Sequence, residues 1–226
     1  MENKKIEDIC ILIQARMGSQ RVPGKMLRSF ADTTLMDILF EKLSKSTIIP
    51  KANIYFSAYE DELKRVGHKH SVNIFNRSKD SAFAETDMQL IYEWHDKLPF
   101  KYVVLISACN PLLTIETIDA FIKSFVESDK QGAFAVFEKK TYYWNKDGQA
   151  ITDWHGANIM NTKFVEPIYE AAHCLYASPL DIIKNGYWMD TVSPPQPELF
   201  VMKELEAFDI DYEWQFQLGE YLYKRL

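Results

Sequence analysis

Two short stretches of this chain carry residue types that could do chemistry together. The first is Gln14-Ala15-Arg16-Met17-Gly18-Ser19-Gln20-Arg21-Val22-Pro23-Gly24-Lys25. No acidic residue lies between Asp8 and Asp32, while Arg16, Arg21, Lys25 and Arg28 all fall there. Guanidinium groups grip phosphate oxygens in pairs, and a lysine adds a point charge. Gly18 and Gly24 let backbone N–H groups come close to an anion. The chain as a whole has 26 Lys and Arg against 32 Asp and Glu, a net charge of −6. Against that background the loop reads as a focused anion site. The second stretch, 204–213, reads ELEAFDIDYE and has acids but no base. Within it Asp209 and Asp211 are spaced i, i+2, so an extended backbone puts both carboxylates on one side. Paired hard oxygens suit Mg²⁺, which keeps several waters and bridges to substrate phosphates. A second reading is open, in which Asp211 caps a helix beginning near Tyr212 with Glu213 in its first turn.

These residues need a scaffold, and the pattern around them supplies one. ICILI at 9–13 is a wholly apolar run, the mark of a strand covered on both faces. Leu35, Ile38, Leu39 and Leu43 recur at helical spacing. Further strands are expected at 53–57, 72–75, 102–107, 132–137, 171–177 and 199–202. Helices are expected over 60–69, around Met88 to His95, along Ile115 to Phe125, and at the closing stretch 213–226. Strands alternating with helices imply βαβ units and a mostly parallel sheet with helices on both faces. The rhythm breaks from about 138 to 170, where Asn145-Lys146-Asp147-Gly148 is a turn signal between aromatic-rich runs. An inserted hairpin lobe is expected at about 138–176, within a single domain spanning 1–226. In open α/β sheets, ligands sit outside the carboxyl ends of strands. The loops after Ile13, Asn76, Ser107 and Asp209 are therefore the ones to inspect.

Composition excludes several classes. The 226 residues are 47% hydrophobic and 26% charged, which is ordinary for a folded globular chain. A net negative charge argues against nucleic acid or anionic membrane as partner. No apolar run approaches the ~18–20 residues needed to span a bilayer. The start MENKKIEDIC has no apolar signal region, and Cys10, Cys109 and Cys174 are odd in number and far apart. A cytoplasmic protein without a disulfide framework is expected. His68 and His70 form a lone HxH, which reads as a solvated helix end rather than a ligand pair. The basic loop is not a Walker A motif, since five residues separate Gly18 from Gly24 and Met26 follows Lys25. GxGxxG is also absent.

The loop resembles the signature of the acylneuraminate cytidylyltransferase family, Ala-Arg-x-Gly-Ser-x-x-x-Pro-x-Lys, here Ala15 to Lys25. The wider form Gln-Ala-Arg-Met-Gly-Ser looks like relatives in spore-coat and surface polysaccharide synthesis. The resemblance implies a Rossmann-like nucleotidyltransferase fold. It also implies that the loop holds the triphosphate of CTP, through Ala15, Arg16, Gly18, Ser19, Lys25 and Arg21. The family carries Ile-Asp-x-Asp before its last helix, matched here by Phe208-Asp209-Ile210-Asp211. That implies Mg²⁺ on Asp209 and Asp211, with Arg16, Lys25 and Asp211 as the catalytic set.

Later segments match more loosely. Asn76-Arg77-Ser78-Lys79 followed by Ala84-Glu85-Thr86-Asp87 resembles Arg-Pro-x-x-Leu-Ala-x-Asp, with Ser78 in place of Pro. Arg77 is implied as a nucleotide contact; otherwise it is a surface arginine. In Ser107-Ala108-Cys109-Asn110-Pro111-Leu112-Leu113-Thr114, only Pro111, Leu112 and Thr114 match the family's Gln-Pro-Thr-Ser-Pro-Leu-Arg-Thr. Ser107 and Leu113 replace the Gln and Arg of sialic-acid enzymes, which removes strong polar discrimination. Asn110 offers an amide to an acceptor, or else serves as a turn residue before Pro111. Glu170 and His173 are the remaining acceptor-side candidates, near Glu166 and among Trp144, Trp154, Tyr169 and Tyr176. The expected reaction joins CTP to an acidic sugar and releases pyrophosphate. A small phosphorylated acceptor and a non-catalytic nucleotide binder are the alternatives. A homodimer formed through the lobe is expected from the family.

Overall fold

The computed structural model describes residues 3–153, 161–183 and 197–226. Its strands are β1 (Ile9–Gln14), β2 (Ile54–Ala58), β3 (Asn73–Asn76), β4 (Tyr102–Ile106), β5 (Ala133–Lys139), β6 (Ile168–Pro179) and β7 (Glu198–Val201). Its helices are α1 (Leu35–Ser44), α2 (Asp61–Lys69), α3 (Lys79–Phe83), α4 (Met88–Ile91), α5 (Ile115–Glu127), α6 (Leu180–Ile183) and α7 (Glu213–Tyr223). The strands form one sheet in the order β3-β2-β1-β4-β6-β5-β7. Among these described strands only β6 runs against the others: it is antiparallel to both β4 and β5, while the remaining pairings are parallel. This is the expected α/β architecture, a mixed sheet with flanking helices in the Rossmann-like nucleotidyltransferase arrangement.

β1 explains how the layers form. Its odd residues, Ile9, Ile11 and Ile13, pack with Met36, Leu39, Phe40 and Leu43 of α1, Leu63 of α2, and Ile118, Phe121, Ile122 and Phe125 of α5. Its even residues, Cys10 and Leu12, pack with Trp94, Val103, Leu180 and Ile183. Period-two alternation thus feeds two cores from one strand. Side-chain hydroxyls start the helices. Thr34 accepts from the Asp37 N–H to open α1, and Thr114 accepts from Thr117 to open α5. The strand order reverses between β1 and β4, which opens a crevice at their carboxyl ends.

A third core lies outside the sheet. Val22 and Phe30 of the basic loop pack with Leu35 and Ile38 of α1, and with Ile210 and Phe216 next to and on α7. Phe30 meets Phe216 edge to face with ring centroids 5.2 Å apart. The loop is therefore anchored by its own apolar residues, which leaves its charges outward.

Three expectations are corrected. The helix expected from Met88 to His95 stops at Ile91, and the residue buried beyond it is Trp94, which is not on the expected face. The histidines at the end of α2 are not both solvated. His68 is exposed, but His70 Nε2 lies 2.7 Å from Asp37 Oδ1. The region expected to form the lobe overlaps the sheet at both ends, since 138–139 belong to β5 and 168–176 to β6. Between them the expected turn forms: Gly148 donates to the Asn145 carbonyl and Trp144 bridges to Ala150. Trp154 lies outside the described residues. No helix among the described residues is long and apolar enough to cross a membrane, and all three cysteines are free thiols.

Two measurements check this packing. Asp37 ties α1 to α2, receiving hydrogen bonds from Lys69 at 2.8 Å and Thr34 at 2.7 Å. Burial pushes its carboxyl up, but the bonds from Lys69, His70 and Thr34 outweigh burial and bring it down to about 2. A folded-state value below the unfolded one stabilises the protein above the unfolded value, and this is lost as pH falls from 3.8 through about 2. The shift corresponds to roughly 2 kcal/mol. Urea unfolding of Asp37→Asn should show that deficit near neutral pH, closing as the pH approaches about 2. Phe216→Ala empties the third core and should cost about 3–5 kcal/mol in the same assay. A loss under about 1 kcal/mol would mean that α7 does not anchor the loop.

Candidate active site

The basic loop and the acidic stretch meet. Arg21 Nη2 lies 2.7 Å from Asp211 Oδ1, across 190 residues of chain. Lys25 is buried; its Nζ donates to the Ile210 carbonyl at 2.5 Å and stands 3.7 Å from Asp211 Oδ1. Arg28 makes a two-pronged pair with Glu213, both contacts at 2.7 Å. The Ile210 N–H donates to the Cys109 carbonyl, which fixes the acidic segment to the end of β4. Gly24 has φ +66, a left-handed conformation that favours glycine. Around Gly18 there is open space, so its value lies in what approaches from outside.

A cleft of about 550 Å³ opens at this edge, a size suited to a small-molecule ligand. Ala15, Arg16, Gly18, Ser19, Arg21, Lys25, Arg77 and Asp211 line it. Every sequence-expected nucleotide residue is thus gathered around one space. Ser19 also holds the loop turn, its Oγ accepting from the Val22 N–H at 3.4 Å. Arg77 is buried and is not a surface arginine. Its Nε donates to Ser81 Oγ at 2.9 Å and its Nη2 to the Ser81 carbonyl at 2.7 Å. Burial, then the neighbouring Arg16 charge, lowers its pKa. The Ser78 that stands in place of proline caps α3, its Oγ accepting from the Ser81 N–H.

The two readings of Asp211 are separated by α7. The cap position is Tyr212, and Gln215 Oε1 accepts from both the Asp211 and Tyr212 N–H groups at 2.8 Å. The Asp211 carboxylate is not used as a cap and faces the cations. Asp209 is pushed up by burial first and then by Asp211, with Lys25 and His173 acting the other way. Its Oδ1 is buried without a hydrogen-bond partner. Such orphaned oxygens are rare and call for an explanation. Among the described residues the others are Ser57 Oγ, Glu60 Oε2 and Asn110 Oδ1, all at the same sheet edge. Asp209 and Asp211 fit a divalent cation: two carboxylates, one with an unsatisfied oxygen. No group of three or more His, Cys, Asp or Glu that could hold a metal occurs among the described residues. Any remaining ligands would come from phosphates and water.

The acceptor-side candidates divide. His173 has its Nδ1 2.7 Å from the Tyr176 hydroxyl. It occupies a bulge of β6 with φ +53. Glu170 is exposed farther along β6, opposite Phe137, where its charge acts on Lys139. Asn110 is buried and its Nδ2 donates to the Ala207 carbonyl at 3.2 Å, so its amide nitrogen holds the acidic segment. Ser107 Oγ accepts from the Cys109 N–H, and Leu113 is buried in the main core.

Sequence reasoning missed two groups. Glu206 is buried, its Oε2 accepting from the Thr114 N–H and Oγ at 3.0 and 2.8 Å. It ties the acidic segment to α5, and nothing in a run of acids distinguishes it. Gln14 also lines the cleft, and its Oε1 accepts from Trp94 Nε1 at 2.7 Å. Its place at the end of a buried strand is the signal that could have found it.

Known proteins resemble this chain in sequence and in fold. A sequence profile described as cytidylyltransferase covers residues 10–172. Post-translational flagellin modification protein B of Campylobacter coli is 23% identical over 232 residues, which span 97% of this chain and 96% of that protein. Pseudaminic acid cytidylyltransferase of Campylobacter jejuni subsp. jejuni serotype O:2 is 22% identical over 233 residues, 97% of each. Among solved structures, CMP:2-keto-3-deoxy-manno-octonic acid synthetase complexed with CTP superimposes with a TM-score of 0.69 at 11% identity, over 96% of this chain and 98% of that one. The structural likeness speaks for the fold, and the profile match, which begins at β1 and takes in the whole anion loop, places the chain in the cytidylyltransferase family.

Proposed function

We propose that this chain transfers CMP from CTP to an acidic sugar of the nonulosonate type, releasing pyrophosphate, in the synthesis of a surface glycan or polysaccharide. The observation that carries this reading is the meeting of an acid-free cationic loop with a paired-aspartate segment in one cleft. The full-length similarity to a pseudaminic acid cytidylyltransferase supports the acceptor class.

In this reading an acceptor oxygen attacks the α-phosphorus in line, forming the new P–O bond as the bond to the β-phosphate oxygen breaks. Arg16, Arg21 and Lys25 neutralise the departing pyrophosphate, and catalysis is mainly positioning and charge stabilisation. Asp209 and Asp211 would hold Mg²⁺, whose chemistry there would be Lewis-acid polarisation of the phosphoryl group. In the ligand-free chain Arg21 is paired with Asp211, so it exchanges that carboxylate for phosphate oxygens as nucleotide enters. His173, an exposed residue of β6, is assigned in this reading to the acceptor side. The buried Arg77 supports the nucleotide end.

A second reading has its own observation. Leu113 is sealed in the core, and the half-buried Ser107 is a short hydroxyl whose Oγ accepts from the Cys109 N–H, so no Gln–Arg pair stands there to read a carboxylate. A small phosphorylated acceptor needs no carboxylate-reading pair at those positions.

Three tests follow from this. CTP with Mg²⁺ should raise the melting temperature more than ATP, GTP or UTP; equal shifts would remove the cytidine assignment. Asp211→Asn should lower pyrophosphate release by about 100-fold or more, while CTP binding is kept or tightened because Arg21 and Lys25 lose a competing anion. Unchanged turnover would remove Asp211 from the reaction. Product analysis with CTP across nonulosonic acids and phosphorylated small molecules should show turnover of the first group; turnover of the second alone selects the second reading.

A further inference from the structure

We propose that Gln14, oriented by Trp94, reads the nucleobase of the bound nucleotide through its side-chain N–H₂ group; this rests on the nucleotide reading above. Trp94 is fully buried among Cys10, Leu12, Val103, Leu180 and Ile183. An indole N–H can only donate, and a buried donor needs an acceptor. Its acceptor is Gln14 Oε1 at 2.7 Å. That bond settles which end of the amide faces inward, because the Gln14 nitrogen could not accept from the indole. Oε1 is thus committed to the core, and Nε2 is left at the end of β1, where Gln14 lines the cleft. Among the described residues Nε2 has no hydrogen-bond partner.

The position along the cleft assigns the ligand group. One end holds Arg21, Lys25 and Asp211, where phosphates and metal belong. Gln14, Ala15, Ala84 and Ile91 bring uncharged surface to the cleft, and Arg77 beside them is engaged by Ser81 and the Ile91 carbonyl. Uncharged surface with a fixed amide donor suits a flat heteroaromatic base better than a phosphate. Cytosine offers two acceptors, N3 and O2, on one edge. Uracil carries a proton at N3, so a donor fixed in place there favours cytosine. A site built to hydrogen-bond discriminates most strongly when its buried partner cannot turn to suit the wrong ligand. Trp94 prevents that turn and is a positioning residue.

Gln14→Glu isolates the idea. A carboxylate still accepts from Trp94 and keeps the shape, but it presents an acceptor where the amide presents a donor. Calorimetric titration with CTP, UTP and tripolyphosphate separates base reading from simple repulsion, since an added negative charge weakens all three together. The CTP-to-UTP affinity ratio should fall about tenfold or more in Gln14→Glu, beyond any loss of tripolyphosphate binding. Trp94→Phe, checked for folding by circular dichroism, frees the amide to rotate and should lower the same ratio by a smaller factor. An unchanged ratio in Gln14→Glu overturns the proposal, as does an effect confined to the KM of the acceptor. A wild-type chain that binds tripolyphosphate yet shows no preference for CTP overturns the nucleotide reading itself.

Discussion

The site depends on one constraint: the cations of the loop after β1 must be held beside carboxylates that arrive some 190 residues later. Charge attraction alone is a weak clamp at exposed positions. Arg21 is half exposed, and its pair with Asp211 alone contributes little. What makes the arrangement definite is the apolar contact beneath it. Val22, Phe30, Ile210 and Phe216 close a small core of their own, and Ile210 stands between the two aspartates. The same residue sends its side chain into that core, gives its carbonyl to Lys25 and its N–H to Cys109. Packing therefore sets the distance at which the charges meet.

The charges at rest are partly spent on each other. Lys25 and Arg21 face Asp211, Arg28 faces Glu213, and Asp209 keeps an oxygen with nothing to receive. Under the proposed function, a polyphosphate with a divalent cation would bring anions to the loop and a cation to the aspartates at once. Each half of the site would then exchange an internal partner for an external one. Affinity would reflect the difference between two sets of ion pairs, which is smaller and more selective than a bare cationic patch would give.

Much of this is legible in the amino-acid sequence. β1 and β4 are short apolar runs, and runs of that kind have few alternatives to a buried parallel strand. The acid-free loop and the base-free segment stand out as departures from the average charge. Whether Asp211 is a cap or a site carboxylate is not decidable from spacing, because both uses place an acid just before a helix; the choice is made by Gln215, which takes over the capping. Asn110 looks like a ligand contact since a terminal amide serves either role, and the Ala207 carbonyl claims its nitrogen while Oδ1 keeps no partner. His70 and Trp94 escape a sequence reading for a shared reason. Each has its partner on a different element, Asp37 on α1 and Gln14 on β1, and a local period carries no information about such pairs.

The long reach between the loop and α7 also has a meaning in time. Contacts that close large loops form late, after local helices and neighbouring strands have settled. On a ribosome, the basic loop emerges well ahead of its acidic partners. β1 to β4 can pair while Arg16, Arg21 and Lys25 still have no carboxylate to face. The order of synthesis thus makes α7 the step that converts a folded sheet with a cationic rim into a completed site.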